Sequence, residues 1–154
     1  MEDLTTLVNY DLIIAALLGA AIGFERELSG KDPGLRTFSL ICVGSCAFSM
    51  ISVYSHTGFQ SPDPARIAAQ VVSGIGFLGA GAIFRSKRGI SGLTTAALMW
   101  ITASIGMAVA FGRYDIAVST TIISLLITLL LRVVHLLIRR IRRRGLDQSA
   151  LELA

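Results

Sequence analysis

The chain has 154 residues, of which 53% are hydrophobic and only 16% charged, with a formal net charge of +4. A water-soluble domain carries about 25% charged residues, so this balance excludes one and points to a chain that lives in the bilayer. The opening Met1-Glu2-Asp3 lacks the basic start of a secretory signal, and the first apolar stretch is expected to be retained.

Five uncharged stretches follow in chain order: Leu12 to Phe24, Phe38 to Tyr54, Ile67 to Phe84, Leu93 to Gly112 and Ile116 to Leu131. A spanning helix takes about 20 mostly apolar residues. The middle three reach that length and the outer two reach it with their flanks, so the expected fold class is an all-α integral membrane bundle of about five transmembrane helices. The first stretch contains Gly19 and Gly23 as a GxxxG pair. Lipid tails are as apolar as leucine, so small residues four apart mark a face on which helices approach closely. After it come Glu25, Arg26 and Glu27, then Arg36 and Thr37 across a short turn, which pairing of Glu25 or Glu27 with Arg36 is expected to close.

The second stretch carries Cys42 and Cys46 on one helical face. No further soft ligands accompany them, so they read as small packing side chains. Residues 55 to 64 hold the turn formers of an exposed loop, with His56 among them, and Asp63-Pro64 reads as the N-cap and first position of the third helix. Arg66, Gln70, Ser73 and Gly74 then recur at spacings of three and four and share a face. The same helix holds Gly74, Gly76, Gly79 and Gly81. Glycine weakens a helix by roughly 1 kcal/mol relative to alanine. Two readings stand: close packing against a neighbour, or a broken helix whose backbone lines a polar cavity.

Topology follows from the cations. All the Lys and Arg residues except Arg66 and Arg113 fall in the first connection, the third connection or the segment after the last span. The positive-inside bias makes those three regions cytoplasmic and turns the N-terminus outward. Tyr10, Tyr54 and Tyr114 then all sit at outer span ends, where amphipathic rings favour the interface. The division expected is a transmembrane domain over residues 1–144 and a short cytoplasmic tail over 145–154. Arg139 to Arg144 read as an orientation signal and a contact for lipid headgroups, not for nucleic acid. His135 reads as an interfacial polar residue.

The run Gly23-Phe24-Glu25-Arg26-Glu27, then Gly34-Leu35-Arg36-Thr37, then Asp63 to Gly81, then Gly92-Leu93-Thr94-Thr95-Ala96-Ala97 resembles the MgtC/SapB family of bacterial membrane proteins. The chain is similar to the membrane domain alone, nearer to short SapB-type members. The resemblance implies the bacterial inner membrane, a link to magnesium homeostasis, and in some members virulence or stress adaptation through regulation of other membrane proteins. The residues themselves offer no nucleophile with a base, metal triad or phosphate loop, so a non-enzymatic protein without cofactor is expected. The competing expectation is a small channel or transporter for Mg²⁺ or another cation. Asp63, Arg66 and Gln70 form the expected functional polar site, together with Glu25, Arg26, Arg36 and Thr37. The expected packing glycines are Gly19, Gly23, Gly74, Gly76, Gly79 and Gly81. The expected partners are the lipid bilayer, other membrane proteins and further copies of the chain.

Overall fold

The computed structural model describes residues 2–54, 66–87 and 89–152, with side chains described up to Val134. The described chain is α1 (Glu2–Leu28), α2 (Leu35–Tyr54), α3 (Arg66–Gly81), a hairpin of β1 (Phe84–Ser86) and β2 (Gly89–Ser91), α4 (Leu93–Ala110) and α5 (Tyr114–Glu152). It is an all-α membrane bundle. Four segments are long and apolar enough to cross a bilayer: Val8–Leu28, Leu35–Tyr54, Leu93–Ala110 and Tyr114–Val134. The third helix differs from the stretch expected up to Phe84. It ends at Gly81 after 16 residues, about 24 Å at 1.5 Å per residue, and Phe84 opens the hairpin instead. Over those 16 residues it is one unbroken α-helix.

Successive helices alternate in direction. The end of α1 meets the start of α2, where the Leu35 N–H donates to Glu27 Oε2 at 3.2 Å, and Arg26 reaches Thr95 in the first turn of α4. Lys31, Arg36, Arg85, Lys87 and Arg132 therefore gather at one end of the bundle. Among the described cations, Arg66 and Arg113 remain at the other. The hairpin caps the basic end, pairing Phe84 with Ser91 and Ser86 with Gly89. Gly92 closes its base at φ 87, where a side chain would collide with the Ala82 carbonyl.

The core lies where α1, α2 and α4 meet. Ile22, Phe38, Cys42, Cys46, Ile105 and Val109 are all but fully buried there. Close approach is possible because glycine faces the neighbouring backbone. A Cβ on Gly19 would lie 2.6 Å from the Phe38 carbonyl oxygen, and one on Gly23 would lie 2.5 Å from Leu35 Cα. Gly106 of α4 presses in the same way on the Cys42 carbonyl. Cys42 and Cys46 are free thiols in this contact. Three hydroxyls inside the bundle satisfy themselves on their own helix: Thr102, Thr121 and Ser124 each donate to the carbonyl four residues back, at 2.7, 2.8 and 2.6 Å. This spares the low-dielectric interior an unpaired donor at those positions, whereas the buried Ser49 hydroxyl has no hydrogen-bond partner among the described residues.

Helix α3 packs on α2 and α4 through a narrow stripe, with Ala68, Ile75 and Gly79 buried. A Cβ on Gly79 would lie 3.6 Å from Ala96, ordinary van der Waals contact, whereas one on Gly74, Gly76 or Gly81 would meet nothing within 4 Å among the described residues. Among the described residues, then, one of the four α3 glycines expected to pack has a neighbour within that distance of its Cβ position.

Candidate functional site

Helices α1 and α5 run in the same direction and are joined by polar contacts at both ends. The Tyr114 hydroxyl donates to Asp11 Oδ1 at one end, and Arg132 Nη1 donates to Ser29 Oγ at 2.8 Å at the other. Both pairs are 103 residues apart in sequence. Equal intervals therefore separate the ties on each helix, roughly 27 Å at 1.5 Å per residue, close to the hydrocarbon thickness of a bilayer.

The richer cluster is at the basic end. Glu25 and Arg26 are both buried, 7% exposed, inside the last turn of the first span. Glu25 Oε1 accepts from Ser29 Oγ at 2.7 Å, the i to i+4 neighbour on the same helix face. Arg26 Nη2 donates to Thr95 Oγ1 at 3.4 Å, and its Nη1 lies 4.0 Å from Glu25 Oε2. Adjacent residues on a helix point in different directions, so this ion pair cannot close to a tight fork. Its looseness leaves Glu25 Oε2 and Arg26 Nε buried without a hydrogen-bond partner. Ser29 connects the cluster to Arg132, so α1, α4 and α5 all contribute to it. Beside it lies a cavity of about 370 Å³, lined by Glu25, Arg26, Ser29, Lys31, Thr94 and Arg132 with Ile127, Thr128 and Leu131.

The other expected site residues are dispersed. Arg36 is exposed and Thr37 half-buried, and the expected ion pair of Arg36 with Glu25 or Glu27 is not made. Instead Glu25 turns into the bundle, and Glu27 closes the turn by accepting from the Leu35 backbone. Arg66 and Gln70, expected in the functional polar site, are both exposed, because α3 turns its stripe of Ala68, Ile75 and Gly79 inward. Gln70 and Gly74 line an apolar groove of about 410 Å³ between α2 and α3. Asp63 and His56 lie outside the described residues, as does the His135 side chain. Among the described residues no group of three His, Cys, Asp or Glu side chains is placed to hold a metal ion.

Ser29, Thr95, Arg132, Asp11 and Tyr114 were not expected to form sites. Ser29 follows Glu25 by four residues, a signal readable from the sequence. The contacts of Thr95 and Arg132 cross 69 and 103 residues, which no local pattern encodes. At the opposite end Arg113 donates to both Asp115 oxygens, at 3.0 and 2.8 Å, on the surface. These hydrogen bonds raise the Arg113 guanidinium above its ordinary pKa.

Comparison with known proteins adds a family. The MgtC family profile matches residues 12–137. A protein of Escherichia coli K12 named "Putative magnesium transporter YhiD" is 44% identical over 139 residues, covering 87% of this chain and 63% of that protein. Protein MgtC of Salmonella typhimurium LT2 is 44% identical over 135 residues, covering 86% of this chain and 56% of its own length. An uncharacterized protein of Haemophilus influenzae is 42% identical over 135 residues, covering 78% and 57%. The chain thus spans less than two thirds of the length of the relatives it matches. No solved structure matches it significantly.

Proposed function

Because the chain belongs to the MgtC family, we propose that it is a non-enzymatic protein of the bacterial inner membrane that supports magnesium homeostasis by acting on other membrane proteins. The observation that carries this reading is the Glu25–Arg26 cluster. It draws buried charge from α1 and binds it to α4 and, through Ser29, to α5. A shift of any of these helices changes the cluster, which is what a protein responding to a membrane partner requires. In this reading residues 1–144 form the membrane domain with the N-terminus outside, and 145–154 lie in the cytoplasm. The gathering of cations at one end supports that orientation. Asp63, Arg66 and Gln70 act at the outer end, and the outward face of α3, with Ser73, Gly76 and Phe77, meets a partner protein or a second copy.

Growth under magnesium limitation tests this. A strain lacking the protein should be rescued by the wild type, and not by Arg26→Gln, Arg66→Ala or Gln70→Ala variants present at normal membrane levels. Rescue by all three removes both proposed sites.

A second reading, transport of Mg²⁺ or another cation, is favoured by Glu25 Oε2, a buried carboxylate oxygen without a hydrogen-bond partner beside a cavity. Purified protein in liposomes loaded with a Mg²⁺-sensitive dye separates the two. The leading reading expects flux equal to that of empty liposomes, and flux lost in Glu25→Gln would install transport in its place.

A further inference from the structure

We propose that the cavity between α1, α4 and α5 binds a phosphate-bearing anion, and that its occupant is the headgroup of an anionic phospholipid. This deepens the reading of the Glu25–Arg26 cluster by giving it a ligand. Three cations, Arg26, Lys31 and Arg132, line the cavity against the single carboxylate of Glu25, one of whose oxygens already accepts from Ser29. A divalent cation favours carboxylate and water oxygens and would face net repulsion here. A phosphate oxygen finds charge-assisted donors. Arg26 Nε is buried and lacks a hydrogen-bond partner, while Lys31 and Arg132 sit exposed at the rim. The cavity is therefore lined by two exposed positive charges, with the incompletely satisfied Arg26 guanidinium buried in its wall.

Depth and wall composition select the lipid over free phosphate. Glu25 and Arg26 occupy the last turn of the span ending at Leu28, Thr94 the first turn of the span beginning at Leu93, and Arg132 the last turn of the span ending at Val134. The cavity is thus at headgroup level. Its remaining wall is Thr128, whose hydroxyl is satisfied on its own helix, with Ile127 and Leu131, both more than half exposed on the lipid-facing side of α5. A soluble anion has no use for that wall, whereas an acyl chain lies along it.

The test is titration of the purified full chain, in a zwitterionic detergent, with short-chain phosphatidylglycerol, short-chain phosphatidylcholine and sodium phosphate, read by native mass spectrometry and thermal shift. Phosphatidylglycerol should bind and raise the melting temperature. Arg132→Gln and Lys31→Gln should each weaken it about fivefold, the effect of one basic residue near an anionic headgroup. Arg85→Gln removes the same charge from the hairpin at the same end and should leave binding unchanged. Failure of sodium phosphate to compete assigns the site to the lipid, and equal competition assigns it to free phosphate. Equal binding of phosphatidylcholine, equal loss in Arg85→Gln, or binding by neither anion overturns the proposal. The readout is binding, so a negative result here leaves the growth phenotype, and with it the magnesium reading, standing or falling separately.

Discussion

The two ends of the α1–α5 pair solve the same problem with different chemistry. At the end away from the basic cluster a buried carboxylate, Asp11, meets one phenol, Tyr114, and the Arg113–Asp115 ion pair stays on the surface. At the basic end a carboxylate and a guanidinium are both buried, the first bonded to the Ser29 hydroxyl and the second to that of Thr95, and still leave two polar atoms unmatched. The first arrangement is a tie between two helices. The second is an incompletely satisfied network beside a cavity, and buried networks of that kind are where a small change in environment has a large effect. The difference puts the incompletely satisfied polar network of the pair at the basic end.

The comparison breaks most sharply if Arg26 loses its charge. Arg26→Met leaves Glu25 buried beside an uncharged neighbour and should destabilise the protein by about 3 to 5 kcal/mol, read from thermal unfolding in detergent. Adding Glu25→Gln should recover part of that loss, with a coupling above about 0.5 kcal/mol in the double-mutant cycle. A coupling of zero would mean the two charges do not sense each other.

Between the two ends, Gly19→Leu should cost about 1 to 3 kcal/mol, because the new side chain must displace the α2 backbone and not merely a flexible tip. The same change at Gly76, open among the described residues, serves as the control and should leave thermal unfolding of the monomer unchanged.

At the Asp11–Tyr114 tie Tyr114→Phe removes one donor from Asp11 and should cost about 1 kcal/mol, clearly less than Arg26→Met. An equal or larger loss there would erase the distinction between the ends. The smallest effect is expected from Arg36→Gln, an exposed residue at the basic end, within about 0.5 kcal/mol of wild type in the same melting assay.

Much of the fold was readable along the chain, because apolar length and cation placement are local properties. The uncharged runs from Leu12, Phe38 and Ile116 lie within spanning segments, the run from Leu93 passes the end of its segment at Ala110 into Gly112, and all their ends fall within a few residues of the segment ends. The run from Ile67 misled at its far end. Apolar composition carries through Ala82 and Ile83 into Phe84, while strand pairing with Ser91 takes the backbone of Phe84 out of the helix. Hydropathy does not register a change of backbone conformation between equally apolar residues.

The site was legible in part for a related reason. Glu25 and Arg26 stand out as charges at a span end, but their burial depends on Thr95 and, through Ser29, on Arg132 arriving from other helices. Arg36, equally conspicuous in sequence, points to the surface. Nothing local distinguishes the two arginines, because helix rotation about its own axis is set by what packs against it.

What the sequence determines by itself is therefore the class of molecule: a helical membrane protein with one strongly basic end, since the transfer of each apolar run and each charge between water and lipid is decided residue by residue. What only the tertiary structure decides is which small residues touch and which charges are buried. Gly19 and Gly23 press on the α2 backbone, while a Cβ on Gly74, Gly76 or Gly81 would meet nothing within 4 Å among the described residues, although all read as small packing positions in the sequence. Close packing and charge burial are properties of pairs of surfaces, and the second surface of each pair lies in another helix.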